Sequence, residues 1–132
     1  MPAQLDDLPA AARPIVAAAL KTVRELKPKS AAEVPYNSKQ PKSASAMWKL
    51  VRFGDAEGYV LGIGTFARHS TIFFYRGREL DDPQGLLRGS GKDTRFVTLR
   101  SSADAEQPAV KSLVRRAFRL GGGKTAGRPK SQ

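Results

Sequence analysis

The chain has 132 residues, close to the usual size of one domain, with 23 Lys and Arg against 12 Asp and Glu and a net charge of +11; that size is enough for a single core. It has no cysteine, which excludes disulfides, thiol catalysis and Cys-based zinc sites. No window approaches the roughly 20 apolar residues needed to span a bilayer, and early Asp6 and Asp7 beside a short alanine-rich run do not make a secretory signal, so a soluble cytoplasmic protein with no membrane partner is expected.

The positive excess is spread along the chain. Residues 1–45 carry 7 basic against 4 acidic side chains, 46–120 carry 13 against 8, and the last twelve carry 3 against none. Spread charge favours loose, nonspecific attraction to polyanions and does not name a partner.

Residues 1–7 read as a loose lead. From about Ala10 to Lys27, Ile15, Val16, Ala19, Leu20, Val23 and Leu26 recur at helical spacing, with Arg13, Lys21 and Arg24 largely on the other side. Pro14 fits only in the first turn, and Pro28 ends the helix. Residues 29–45 shift to Lys, Ser, Pro, Ala and Asn and are expected to form a long loop.

Met47–Phe53 and Gly58–Phe66 are two strand candidates joined by a hairpin at Gly54–Glu57. In the second, Gly62 and Gly64 share one face while Leu61, Ile63 and Thr65 share the other; the bare face admits a packed helix or a ligand. A third strand runs from His69 to Tyr75. Gly77, within Arg76-Gly77-Arg78, is expected to reverse the chain at positive φ. Asp82 precedes Pro83 and is placed to cap a short turn through Leu87, with Leu86 and Leu87 anchoring it to the core. The loop Gly89-Ser90-Gly91-Lys92 follows, and Arg95–Arg100 is a fourth strand. A last helix starts near Asp104 to Pro108, with either Asp104 as its cap or Pro108 in its first turn, carries the stripe Val110, Leu113, Val114 and Ala117 with Lys111, Arg115 and Arg119 on a basic flank, and stops at Gly121-Gly122-Gly123. Residues 121–132 read as a disordered basic tail.

The order of these pieces resembles the YdhG-like family of small bacterial domains of unknown function. The resemblance rests on His69 heading an apolar strand, Gly77, Leu80-Asp81-Asp82-Pro83, Leu86-Leu87, Gly89-Ser90-Gly91-Lys92, Arg95 with its strand, and a terminal helix ending near Ala117. It covers about Met47 to Leu120. Where the family has a Tyr-Gly-x-Pro element, this chain has Tyr36-Asn37-Ser38-Lys39-Gln40-Pro41. The resemblance implies an α+β fold: an antiparallel sheet of four to six strands with an N-terminal and a C-terminal helix packed on it. Some relatives are frataxin-like and linked to iron, but iron needs a dense set of oxygen ligands. Here the carboxylates occur mainly as two isolated Asp pairs in a basic background, which argues against that role, and no metal or cofactor is expected.

Gly89-Ser90-Gly91-Lys92 is not a nucleotide phosphate loop, because Asp93 stands where Ser or Thr is required and a strand follows instead of a helix. Backbone N–H groups of a Gly-Ser-Gly turn can nonetheless cradle an anion, so Gly89, Ser90, Gly91, Lys92 and Arg95, with His69, form the candidate anion-binding set; the same glycines also serve a plain turn. His69 is the sole histidine, Arg68 beside it favours a lowered pKa, and no triad or other catalytic residue is identified. Trp48, Phe53, Phe66, Phe73, Phe74, Phe96 and Phe118 are read as core, although Lys49 and Arg52 interleave with Trp48 and Phe53 as in a base-stacking platform. Lys124, Arg128 and Lys130 of the tail are weak nucleic-acid contacts, half of an AT-hook pattern. The sequence therefore reads as one α+β domain over residues 8–120: a non-catalytic module for an unidentified anionic ligand, with a nucleic-acid-associated accessory protein and an enzyme using His69 as the alternatives and self-association left open.

Overall fold

The structure, a computed structural model, describes residues 8–36 and 46–122. Helix α1 (Arg13–Leu26) has Pro14 in its first turn and buries Ile15, Val16, Ala19, Leu20 and Val23, as their spacing predicts. It ends at Lys27, whose extended backbone leads into Pro28.

Five antiparallel strands follow in a meander, β1 (Ala32–Pro35), β2 (Trp48–Asp55), β3 (Gly58–Thr65), β4 (Ser70–Phe74) and β5 (Arg95–Leu99), neighbours in sequence being neighbours in the sheet. Strand β1 corrects the expectation of an unbroken loop over 29–45. It is an edge strand of only four residues, where Pro35 is tolerated, and it forms by pairing with β2 across Ala32–Gly54 to Pro35–Val51. At the hairpin between β2 and β3, the Asp55 carboxylate accepts the Glu57 backbone N–H at 2.8 Å.

Two one-residue slips interrupt the β2–β3 ladder. Lys49 pairs with Gly64 and Val51 with Ile63, leaving Leu50 as an extra residue; Phe53 pairs with Leu61 and Gly54 with Tyr59, leaving Val60 as another. Both extra residues are buried in the core, at no more than 3% exposure.

Helices α1, α2 (Ser102–Glu106) and α3 (Pro108–Leu120) share one hydrophobic cluster with the sheet face that carries Val51, Phe53, Leu61, Ile63, Ile72, Phe74, Val97 and Leu99. Each such buried side chain contributes about 1.5–3 kcal/mol. The terminal helix expected as one piece is two. The Ser101 hydroxyl, not Asp104, caps α2 by accepting the Asp104 N–H, while the Asp104 carboxylate accepts the Arg100 N–H. Pro108 then opens α3, which buries Val110, Leu113, Val114 and Ala117 and ends at Gly121 with φ +88°. The Thr22 hydroxyl donates to the Ala105 carbonyl, joining α1 to α2, and Phe118 meets Phe53 edge-on at 6.5 Å. Among the described residues no helix is long and apolar enough to cross a membrane.

The Tyr75–Leu99 stretch behaves as its punctuation predicts, with one difference. The Asp82 carboxylate accepts the N–H groups of Leu86 and Leu87 at 2.9 Å each, and both leucines pack against the core. Arg88 exchanges two backbone hydrogen bonds with Phe96. Gly77 does reverse the chain, but not at positive φ. It opens a 3-10 turn (Gly77–Glu79), and a Cβ there would lie 2.5 Å from Arg95 Cβ and 2.7 Å from Arg95 N, so the position needs glycine for close approach. Arg76 pairs with Glu79 at 2.7 Å and also donates to the Leu120 and Gly122 carbonyls, holding the C-terminal end of α3. Gly121 and Gly122, assigned to the tail from sequence, are docked: the Gly122 N–H donates to the Asp55 carboxylate, and a Cβ on it would meet Gly58 backbone at 2.4 Å. Residues 1–7, 37–45 and 123–132, with the expected lead, most of the tail and most of the Tyr36–Pro41 element, lie outside the described residues.

Gly77→Ala is expected to destabilise the protein by about 1–3 kcal/mol through overpacking against Arg95. Urea denaturation measures it, and an unchanged midpoint would mean that the turn has room for a methyl group.

Candidate functional site

The structure divides the anion-binding set expected from sequence. Gly89 takes φ +114°, and Ser90, Gly91 and Lys92 are exposed. The Arg95 guanidinium turns into the loop and donates to the Gly91 and Thr94 carbonyls, so its hydrogen bonds brace the turn. Arg78 pairs with Asp93 at 3.8 Å and its backbone N–H donates to the Asp93 carbonyl, fixing the loop's far side. His69 precedes β4 at the end where Ser70 faces Leu99, whereas Arg95 faces Phe74 at the other end. Four residue steps along that strand put about 13 Å between the two ends. Lys124, Arg128 and Lys130 are outside the described residues.

A different group is assembled on the sheet face opposite the helices. In a regular strand Lys49 and Arg52 would point to opposite faces, being three residues apart. The extra residue Leu50 brings them to the same face, where they pair with Gly64 and Gly62. The extra residue Val60 likewise turns Tyr59 onto that face. The Arg52 guanidinium then lies between two rings, 4.5 Å from the Tyr36 centroid and 4.1 Å from the Tyr59 centroid, and Lys49 Nζ lies 5.9 Å from the Tyr36 centroid. Cation–π contacts of this kind contribute about 0.5–2 kcal/mol each and do not neutralise the charge.

The tyrosines are linked to each other. The Tyr36 and Tyr75 hydroxyls hydrogen-bond, Tyr75 is 6.0 Å from Tyr59, and it meets Phe73 edge-on at 5.7 Å. Burial, and then the hydrogen bond shared with Tyr36, push the Tyr75 phenol far above its ordinary pKa, with the charge of Arg52 and its hydrogen bond to Tyr75 opposing, so Tyr75 stays protonated. Arg52 Nε is buried with no hydrogen-bond partner, and among the described residues Arg52 joins no ion pair. None of the side chains that pairing places on this face is acidic: Ala32, Val34, Lys49, Arg52, Tyr59, Thr71, Phe73, Phe96 and Thr98.

Beside Arg52 runs a groove of about 260 Å³ lined by Met47, Lys49, Phe66, Thr71, Phe73, Thr94 and Phe96. The bare glycines shape it. The Phe73 ring lies across Gly62 and Met47 lies across Gly64, so both glycines are covered by side chains of this chain and not by a helix. Phe96 is 36% exposed, the one large apolar side chain so exposed among the described residues. The groove connects the separated parts of the sequence-predicted set without being lined by the cations of that set: Gly89 sits against the Phe96 ring at one side, and His69 stacks on Phe66 at 4.6 Å at the other. Phe66, half-buried, and Phe96, 36% exposed, are therefore groove residues, correcting their reading as core; Phe73 borders the groove but is buried, as its core reading expects, Trp48, Phe53 and Phe74 are buried among the core side chains, and Phe118 packs against them. The sequence reading missed Tyr36, Tyr59, Tyr75 and Thr94. The one signal that pointed here was the interleaving of Lys49 and Arg52 with aromatic residues.

Among the described residues no three of His, Asp and Glu gather in a group able to hold a metal ion. Comparison of the chain with protein-family models, curated proteins and solved structures finds no match.

The His69 pKa is lowered, first by partial burial and second by the Arg100 charge, where sequence had pointed to Arg68. Its stabilising share is present above the unfolded value of about 6.5 and is lost as pH falls from there through the lower folded value, because the unfolded chain takes up the proton first. An NMR titration of the ring should give a midpoint below about 6.5, raised part of the way by Arg100→Ala. A wild-type midpoint at or above the ordinary value would show that the ring is not buried against Phe66.

Proposed function

We propose that this chain is a small, non-catalytic binding module of the cytoplasm whose ligand is anionic, and that the anion is held at Arg52 and Lys49 on the sheet face opposite the helices. The observation that carries the reading is the state of Arg52. Its guanidinium carbon lies within 4.5 Å of two tyrosine ring centroids, its side chain hydrogen-bonds Tyr75, and among the described residues its Nε has no hydrogen-bond partner, the guanidinium joins no ion pair, and none of the side chains that pairing places on this face is acidic. A phosphate or carboxylate supplies the negative partner that Arg52 lacks among the described residues, since planar guanidinium recognises both through paired hydrogen bonds. The exposed Lys92 and the Gly89–Gly91 backbone, where Gly89 lies against the Phe96 ring, are a second anion contact in this reading, whereas Arg95 is a brace for its own turn. His69 stacks on Phe66 with Arg100 as the charge that acts on it, which supports a positioning role and not proton transfer. The kinship with the YdhG-like family is part of the proposal, on the punctuation residues of the Tyr75–Leu99 stretch.

Titration with inorganic phosphate, followed by ¹⁵N NMR, tests the site. Saturable shifts are expected at Arg52, including its Nε, and at Tyr59 and Tyr75. Arg52→Gln should abolish them, Arg52→Lys should weaken them by roughly tenfold because charge is kept and the planar fork is lost, and Lys92→Ala should change them less. Shifts confined to Ser90–Arg95 would move the anion site to the basic turn, and no selective shift in either region would overturn the reading.

A further inference from the structure

We infer that the Phe66, Phe73 and Phe96 groove takes unpaired bases of single-stranded nucleic acid, with Lys49 and Arg52 receiving the neighbouring backbone phosphates; this rests on the reading of Arg52 as an anion site and adds the class of ligand. Three observations carry it independently of net charge. The first is continuity. Arg52, Gly62, Phe73 and Phe96 are successive partners across four strands, so a cation and two rings lie in one row about 14 Å long. Phe73, 6% exposed, is the floor of that row, and the exposed Phe96 ring with the half-buried Phe66 ring supplies the faces on which bases splayed out of a strand stack, as on other antiparallel sheets that carry aromatic rings.

The second is shape. Gly62 and Gly64 lower the floor of the sheet so that the Phe73 ring and Met47 lie down across it, leaving a groove and not a ridge. An apolar ring system fills such a groove with its flat face, and Phe96, the exposed ring at the edge, offers a face from the side. The third is polarity. The groove is lined by Lys49 as well as by its apolar residues and by Thr71 and Thr94, Arg52 stands one strand from Phe73 across Gly62, and the basic turn meets the groove through Gly89 against the Phe96 ring. A ligand that alternates flat apolar rings with phosphates matches this alternation, whereas a duplex, whose bases are stacked inside, presents only its phosphates.

The test uses the full chain and fluorescently labelled oligothymidylate and oligouridylate of roughly ten nucleotides, with anisotropy read at about 0.15 M salt to damp loose charge attraction. Inorganic polyphosphate serves as a polyanion without bases. Phe96→Ala is expected to weaken oligonucleotide binding about tenfold and to leave polyphosphate binding unchanged, and Phe96→Tyr, which keeps a ring, should restore it. Because Phe96 is exposed, the variant is expected to stay folded; circular dichroism checks this, and Phe96→Leu, which keeps apolar bulk but no ring face, gives a second reading with the same expected loss. Oligonucleotide binding that ignores all three substitutions, or the absence of binding to both oligonucleotides, would overturn the inference. If phosphate still perturbs Arg52 in that event, the anion site stands and only the ligand class falls. If phosphate fails at Arg52 as well, both fall.

Discussion

The arrangement of this molecule depends on two extra residues in the central hairpin. A β-strand has a strict period of two, so a single inserted residue moves everything beyond it to the other face of the sheet. Leu50 and Val60 are such insertions, and both are buried among core side chains. Burying each one stabilises the core, and the displaced register places Lys49, Arg52 and Tyr59 on one surface. Core packing and surface chemistry are in this way set by the same two positions.

That surface has a consistent electrostatic character. A guanidinium held between tyrosine rings is ordered without a carboxylate, so its side-chain entropy is already lost before any ligand arrives. The linked hydroxyls of Tyr36 and Tyr75 fix the rings in turn, and the depressed basicity of His69 keeps the far end of the face from adding further charge near neutral pH. The basic turn at residues 89–92 contributes by position. Its glycine at residue 89 lets the chain pass against the Phe96 ring, where a side chain would be strained by the positive φ.

Much of the fold was legible because its signals are local. The stripes of α1 and of Val110, Leu113, Val114 and Ala117, the alternation of Leu61 and Ile63 against Gly62 and Gly64, and the cap at Asp82 each depend on residues within a turn or two of one another. Strand β1 was not legible, since four residues ending in proline carry no periodic pattern and become a strand only by pairing. The site was only partly legible for a related reason. Lys49 and Arg52 were visible as cations among aromatics, but their common face depends on a slip that no period-two pattern reveals, and Tyr59 was invisible as a partner for the same cause. Gly77 was expected for its conformational freedom and is needed for its lack of volume, a distinction set by Arg95 eighteen residues away.

The exchange of backbone hydrogen bonds between Arg88 and Phe96 has a further effect on how this sheet meets other molecules. It occupies the outward N–H and C=O of Phe96, the second residue of the last strand, while Pro35 removes a donor from the first strand at the opposite border. Each margin is thereby interrupted, which blunts the tendency of exposed strands to recruit further strands from another chain.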